Sequence, residues 1–92
     1  MGGNHMNLTN KIAIITGGAQ GIGLAAAELL ASKGAIVVIG DLSIAGSDEL
    51  KRREFPGEGS IYEGRLNVTD EGSVKKFIRM VGDKFGRIDI LV

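Results

Sequence analysis

The sequence predicts an α/β fold, a three-layer parallel sheet with helices on both faces, and three observations carry that expectation. Residues 11–16 and 35–40 are apolar runs of strand length without polar alternation, as in strands covered on both faces. The segment between them is helix-sized and opens on a glycine-rich stretch, Gly17, Gly18, Gly21 and Gly23. Asp41 stands at the carboxyl end of the second run.

Lys-Ile-Ala-Ile-Ile-Thr at 11–16 is the first strand. Over 22–33 a helix follows, its apolar stripe expected from Ile22, Ala25, Ala26, Leu29 and Leu30, with Gly34 as its left-handed stop. Ala-Ile-Val-Val-Ile-Gly at 35–40 is the second strand. A weaker pattern over 43–54, capped by Ser43 or Ser47 and ended before Pro56, predicts a short second helix with Lys51, Arg52 and Arg53 on its solvated face. Residues 56–60 are a loop, and 61–66 a third strand, expected outermost and weakened by Gly64. Thr69 is the expected cap of a third helix whose stripe is Val74, Phe77, Ile78, Val81 and Phe85, with Asp70 and Glu71 at its positive end and Gly86 beyond its other end. Residues 88–92 begin a fourth strand. Right-handed crossovers between these strands give the order third, second, first, fourth.

Composition bounds the function. Ninety-two residues allow one modest core. Eleven basic and eleven acidic side chains cancel, which provides no field for nucleic acid or an anionic membrane and weakens the repulsion between copies. No cysteine is present, so disulfides, thiolate metal sites and thiol nucleophiles are excluded and a reducing, cytoplasmic setting is compatible. The apolar runs are too short to span a bilayer. Residues 1–6, with His5, read as a cloning remnant ahead of a domain over 7–92.

A pyrophosphate needs backbone amides it can approach without an intervening Cβ, and the positive end of a helix. Gly17, Gly21 and Gly23 offer that approach in a Gly-x-x-x-Gly-x-Gly spacing, at the sheet's expected switch point. Asp41 follows Gly17 by 24 residues, near the roughly 20 expected of an acid that accepts from an adenosine ribose. A carboxylate there repels a 2′-phosphate, and neither the loop nor Leu42 carries a cation, which favours NAD over NADP. An adenosine-binding methyltransferase would share a glycine loop and an acid, but not the Thr-Gly-x-x-x-Gly-Ile-Gly spacing.

The run from Thr16 to Gly23, then Asp41, Asn67-Val68-Thr69-Asp70, and Gly86-Arg87-Ile88-Asp89-Ile90-Leu91-Val92 together resemble the amino-terminal half of the short-chain dehydrogenase/reductase family. The resemblance implies a Rossmann-like half fold over 7–92. It further implies pyrophosphate binding by the glycine loop with Ile22 beside it, NAD selection by Asp41, and adenine contact at Asn67-Val68, where the family usually has Asp-Val. The family threonine matching Thr16 braces a segment beyond the fourth strand, so Thr16 is expected to lack its usual partner. The family's serine and Tyr-x-x-x-Lys pair, which carry hydride transfer, have no counterpart here: Tyr62 is followed four residues later by Leu66. The expectation is a cofactor-binding, non-catalytic portion of an NAD-dependent oxidoreductase. The alternative is an engineered or truncated assembly module that forms homo-oligomers through the fourth-strand edge or by element swapping.

Overall fold

The computed structural model describes residues 7–45 and 49–92. Its elements are β1 (Ile12–Thr16), α1 (Gly21–Ser32), β2 (Ile36–Asp41), β3 (Lys51–Arg53), β4 (Ser60–Arg65), α2 (Glu71–Phe85) and β5 (Ile90–Leu91). The sheet runs β3-β4-β2-β1-β5, parallel except where β3 pairs antiparallel with β4.

Alternation along β1 explains its uniformly apolar sequence. Ala13 and Ile15 face α1, in a cluster with Ala27, Ala31, Val37, Ile39 and Ile61, whereas Ile12 and Ile14 face α2, in a cluster with Val38, Leu66, Phe77 and Val81. With both sides of the strand dry, no position remains for a polar residue.

The expected order of the parallel strands holds as β4-β2-β1-β5, but the helix expected over 43–54 does not form at its carboxyl end. Lys51–Arg53 is instead an edge strand, so β4 lies one place inside the sheet; residues 46–48, Ser47 among them, and residues 1–6 fall outside the described part. Cross-strand partners explain the choice. Arg52 lies opposite Tyr62 with its guanidinium 5.8 Å from the ring, and Arg53 meets Glu63 at 3.4 Å. A charged edge strand keeps its cations in water while its backbone gains a ladder, and it discourages pairing with other chains.

Both helical stripes differ in detail from the sequence expectation. In α1 the buried residues are Ala27 and Ala31, while Ile22 and Leu29 are exposed. This helix is apolar nearly all round, so its periodicity does not fix its phase; small side chains let it lie close on a sheet of Val and Ile. In α2, Phe77 and Val81 are buried as expected, but Ile78 is exposed. Asp70, not Thr69, caps α2, its carboxylate accepting from the amides of Gly72 and Ser73. An ionised acceptor at the positive helix end outcompetes a hydroxyl.

Side chains tie β5 to β1. Asp89 Oδ2 accepts from the Ile12 amide at 2.8 Å and its other oxygen from Arg87, contacts that hold the Asp89 carboxyl below its ordinary range, the Arg87 guanidinium contributing most. The Thr16 hydroxyl donates to the Val92 main-chain oxygen at 3.1 Å, a partner other than the segment that the family resemblance implied. Among the described residues no helix is long and apolar enough to cross a membrane.

Candidate functional site

The parallel strands β1, β2 and β4 end on the same edge of the sheet, and the residues singled out by the sequence follow those ends. At β1 the chain turns through Gly17, at φ 69°, and Gly21, at φ 63°, a left-handed backbone that side-chain-bearing residues rarely adopt. The Gly17 amide donates to the Gly40 carbonyl at 2.8 Å, which fixes the loop to the end of β2. The loop then folds back on the first turn of α1. A Cβ on Gly23 would run into the Gly17 carbonyl oxygen and lie 2.8 Å from Gly18 Cα, so only glycine fits there.

Gln20 caps α1 with extended backbone and no side-chain hydrogen bond. The first bond of the helical type runs from the Leu24 amide to the Gln20 carbonyl at 3.4 Å. The amides of Gly21, Ile22 and Gly23 therefore precede the intrahelical ladder, at the positive end of the helix. Ile22 projects into solvent beside them, 89% exposed.

Asp41 joins this loop to β2. Its Oδ2 accepts from the Ala19 amide at 3.1 Å, and its Oδ1 accepts from both the amide and the hydroxyl of Ser43 at 2.9 and 2.8 Å. The Ser43 amide, then the Ala19 amide, then the Ser43 hydroxyl hold the carboxyl below its ordinary range, against a smaller upward push from partial burial. The group is ionised at neutral pH.

Asn67 and Val68 follow β4 and share the same edge, and the hydrogen bonds described for Asn67 run to Ser73 and Thr69, not to the glycine loop or the Asp41 side chain. Their link to β2 is through the backbone, the Leu66 amide donating to the Asp41 carbonyl at 3.2 Å. Asn67 Oδ1 is occupied by the amide and hydroxyl of Thr69, at 3.0 and 2.7 Å. Of the donor and acceptor that the carboxamide could offer a ligand, the donor is the one left free. Val68, 63% exposed, forms part of the wall of an apolar cavity of about 230 Å³ between α2, β1 and β5.

Three residues of this edge escape sequence reading. Ala19 and Ser43 act on Asp41 through geometry that no motif announces. Arg65 is the register partner of Asp41 on β4, and its guanidinium donates to the Leu42 carbonyl at 3.0 Å. A cation thus lies at the rim where loop spacing suggested none. Counting the parallel register back from Leu66 is the signal that would have found it. Among the described residues no group of acidic or histidine side chains is placed to hold a metal.

Residues 11–92 match the family model for short chain dehydrogenase. The chain is 41% identical over 87 residues to a 3-oxoacyl-(acyl-carrier-protein) reductase, FabG, of Thermotoga maritima, covering 95% of this chain and 35% of that protein. It is 40% identical over 87 residues to galactitol 2-dehydrogenase of Agrobacterium fabrum, covering 95% and 33%. Among solved structures, that of gox2181 superposes with a TM-score of 0.73 at 34% identity, covering 92% of this chain and 33% of the other. The chain spans about a third of the length of these relatives. With a family model matched over residues 11–92 and a solved structure superposing over 92% of the chain, the chain belongs to the short-chain dehydrogenase family.

Proposed function

We propose that this chain is the cofactor-binding portion of an NAD-dependent short-chain dehydrogenase/reductase, holding the adenosine and pyrophosphate end of the dinucleotide. The observation that carries this reading is the Asp41 carboxylate, ionised and seated against the glycine loop beside the uncapped start of α1. Amides at Gly21, Ile22 and Gly23 offer donors to a pyrophosphate. Asp41 retains one lone pair, on Oδ2, for a ribose hydroxyl and repels a 2′-phosphate. The free amide donor of Asn67 and the exposed face of Val68 suit an adenine edge.

Bound NAD would supply the hydride acceptor for an alcohol, and the relatives' printed names place hydroxy and oxo compounds among the family's substrates. This chain's own residues bind and orient. Tyr62 is no proton carrier in this scheme, because its ring packs edge-on against Phe85 at 5.2 Å, beneath Lys84 and Arg52.

Calorimetric titration tests the proposal. NADH is expected to bind saturably and at least about tenfold more tightly than NADPH, a difference of about 1.4 kcal/mol; absence of heat with both dinucleotides at high protein concentration would overturn it.

A second reading rests on β5, an edge strand among the described residues, where Leu91 is 65% exposed and lines the apolar cavity. Such an edge favours a homo-oligomer, by strand pairing around a twofold axis or by element exchange. The mass from light scattering is expected to rise from one chain towards two with concentration, and a constant monomer mass would remove this reading.

A further inference from the structure

We propose that Ser43 is the positioning residue of the dinucleotide site: by gripping one oxygen of Asp41 it aims the other at the Ala19 amide, so that the ribose acceptor and the glycine loop are held as one unit. This deepens, and rests on, the dinucleotide reading.

The geometry divides the carboxylate between two tasks. Oδ1 is saturated by Ser43, which supplies two donors from one residue at 2.9 and 2.8 Å. Oδ2 receives the single bond from Ala19 at 3.1 Å, leaving a lone pair on the side of the glycine loop. Without the grip on Oδ1, a side chain at a strand end in contact with solvent would rotate among its staggered wells, and the Ala19 bond would compete with water. Ser43 is itself exposed, so its hydroxyl does not serve packing. The charged neighbour of Asp41 in register, Arg65, gives its described hydrogen bond to the Leu42 carbonyl and not to the carboxylate. Orientation of Asp41 is therefore assigned to Ser43 and Ala19.

The coupling has a functional consequence. The carboxylate that would accept from the ribose also closes the loop that would cradle the pyrophosphate, so a change at Ser43 reaches both ends of the adenosine diphosphate without touching either. Backbone pairing of Gly17 with Gly40 alone would leave the middle of the loop, at Ala19 and Gln20, untethered to β2.

The test reads Asp41 directly and then reads binding. In an NMR titration of the folded chain, the amide shifts of Ala19 and Ser43 follow ionisation of Asp41. In Ser43→Ala the midpoint is expected to move up towards the ordinary carboxylate value, the Ala19 amide to exchange faster with solvent, and NADH affinity to fall about three- to tenfold, the worth of one hydrogen bond. Ser43→Thr keeps the hydroxyl and is expected to restore all three. In an Asp41→Ala background, where no side-chain acceptor remains for Ser43 to grip, Ser43→Ala is expected to cost no further affinity, an outcome that general loosening of the structure would not produce. A folded Ser43→Ala chain with unchanged Ala19 midpoint and exchange would overturn the proposal. Should the unsubstituted chain fail to bind NADH, the dinucleotide reading falls, and the Ala19 midpoint still decides whether Ser43 positions Asp41.

Discussion

Asp41→Ala is expected to weaken NADH binding by at least about tenfold while leaving NADPH binding unchanged or improved. The magnitude follows from the loss of hydrogen bonds to an ionised acceptor, each worth about 1.5–3 kcal/mol where they are shielded and less at an open edge. The direction for NADPH follows from charge. The carboxylate that repels a 2′-phosphate disappears, and the Arg65 guanidinium, 3.0 Å from the Leu42 carbonyl just past the end of β2, remains within the same rim. Paired titrations with NADH and NADPH check this, and Arg65→Ala in the Asp41→Ala background is expected to remove whatever NADPH affinity was gained. A chain in which Asp41→Ala weakens both dinucleotides equally would show that the carboxylate serves the loop alone. The pH dependence has a definite sign. Donors from Ser43 and Ala19 favour the ionised form, so the folded-state pKa lies below its unfolded value. The contribution of Asp41 is fully present above the ordinary carboxylate range and is lost as pH falls through the lowered folded pKa. NADH affinity should therefore be flat through neutral pH and decline only on acidification.

Much of this site is legible in the sequence because its parts are local. Gly17, Gly21 and Gly23 answer to backbone shape and close approach, which leave a mark at fixed spacing, and Asp41 ends a run whose burial on both faces is written in its composition. The parallel order β4-β2-β1-β5 was reachable for the same reason, since crossover handedness leaves few alternatives. What failed was what depends on partners distant in sequence. Lys51, Arg52 and Arg53 carry no β-strand preference of their own; their strand exists because Tyr62 and Glu63 lie opposite. The phase of α1 is not legible in its sequence, because Leu29 and Ile22 look like core residues until the sheet selects the flatter alanine face. Asn67 keeps only its donor for a ligand, because Thr69, two residues away, takes the acceptor. Arg65 became visible only through register.

Gly23→Ala and Gly82→Ala form the second test, because two helical glycines of the same chain should respond in opposite ways. Alanine is favoured over glycine inside a helix by about 1 kcal/mol. At Gly82, within α2, an added Cβ meets nothing within 4 Å. The propensity gain is then uncompensated, and the melting temperature should rise by about 4–8 °C per kcal/mol for a domain of this size. At Gly23 the same methyl group would meet backbone on two sides, the Gly17 carbonyl oxygen and Gly18 Cα at 2.8 Å. No rotamer change can relieve a clash with main chain, so the loop itself must move, at a cost of about 1–3 kcal/mol that cancels or exceeds the propensity gain. The movement is directed at the residues proposed to hold the pyrophosphate, since Gly17 is anchored to Gly40 and Ala19 to Asp41. Gly23→Ala should therefore melt no higher than the parent chain and lose NADH affinity by tenfold or more, while Gly82→Ala melts higher and binds as before. Equal binding by the two variants would mean that the tight approach of loop to helix serves the packing of α1 and not the ligand.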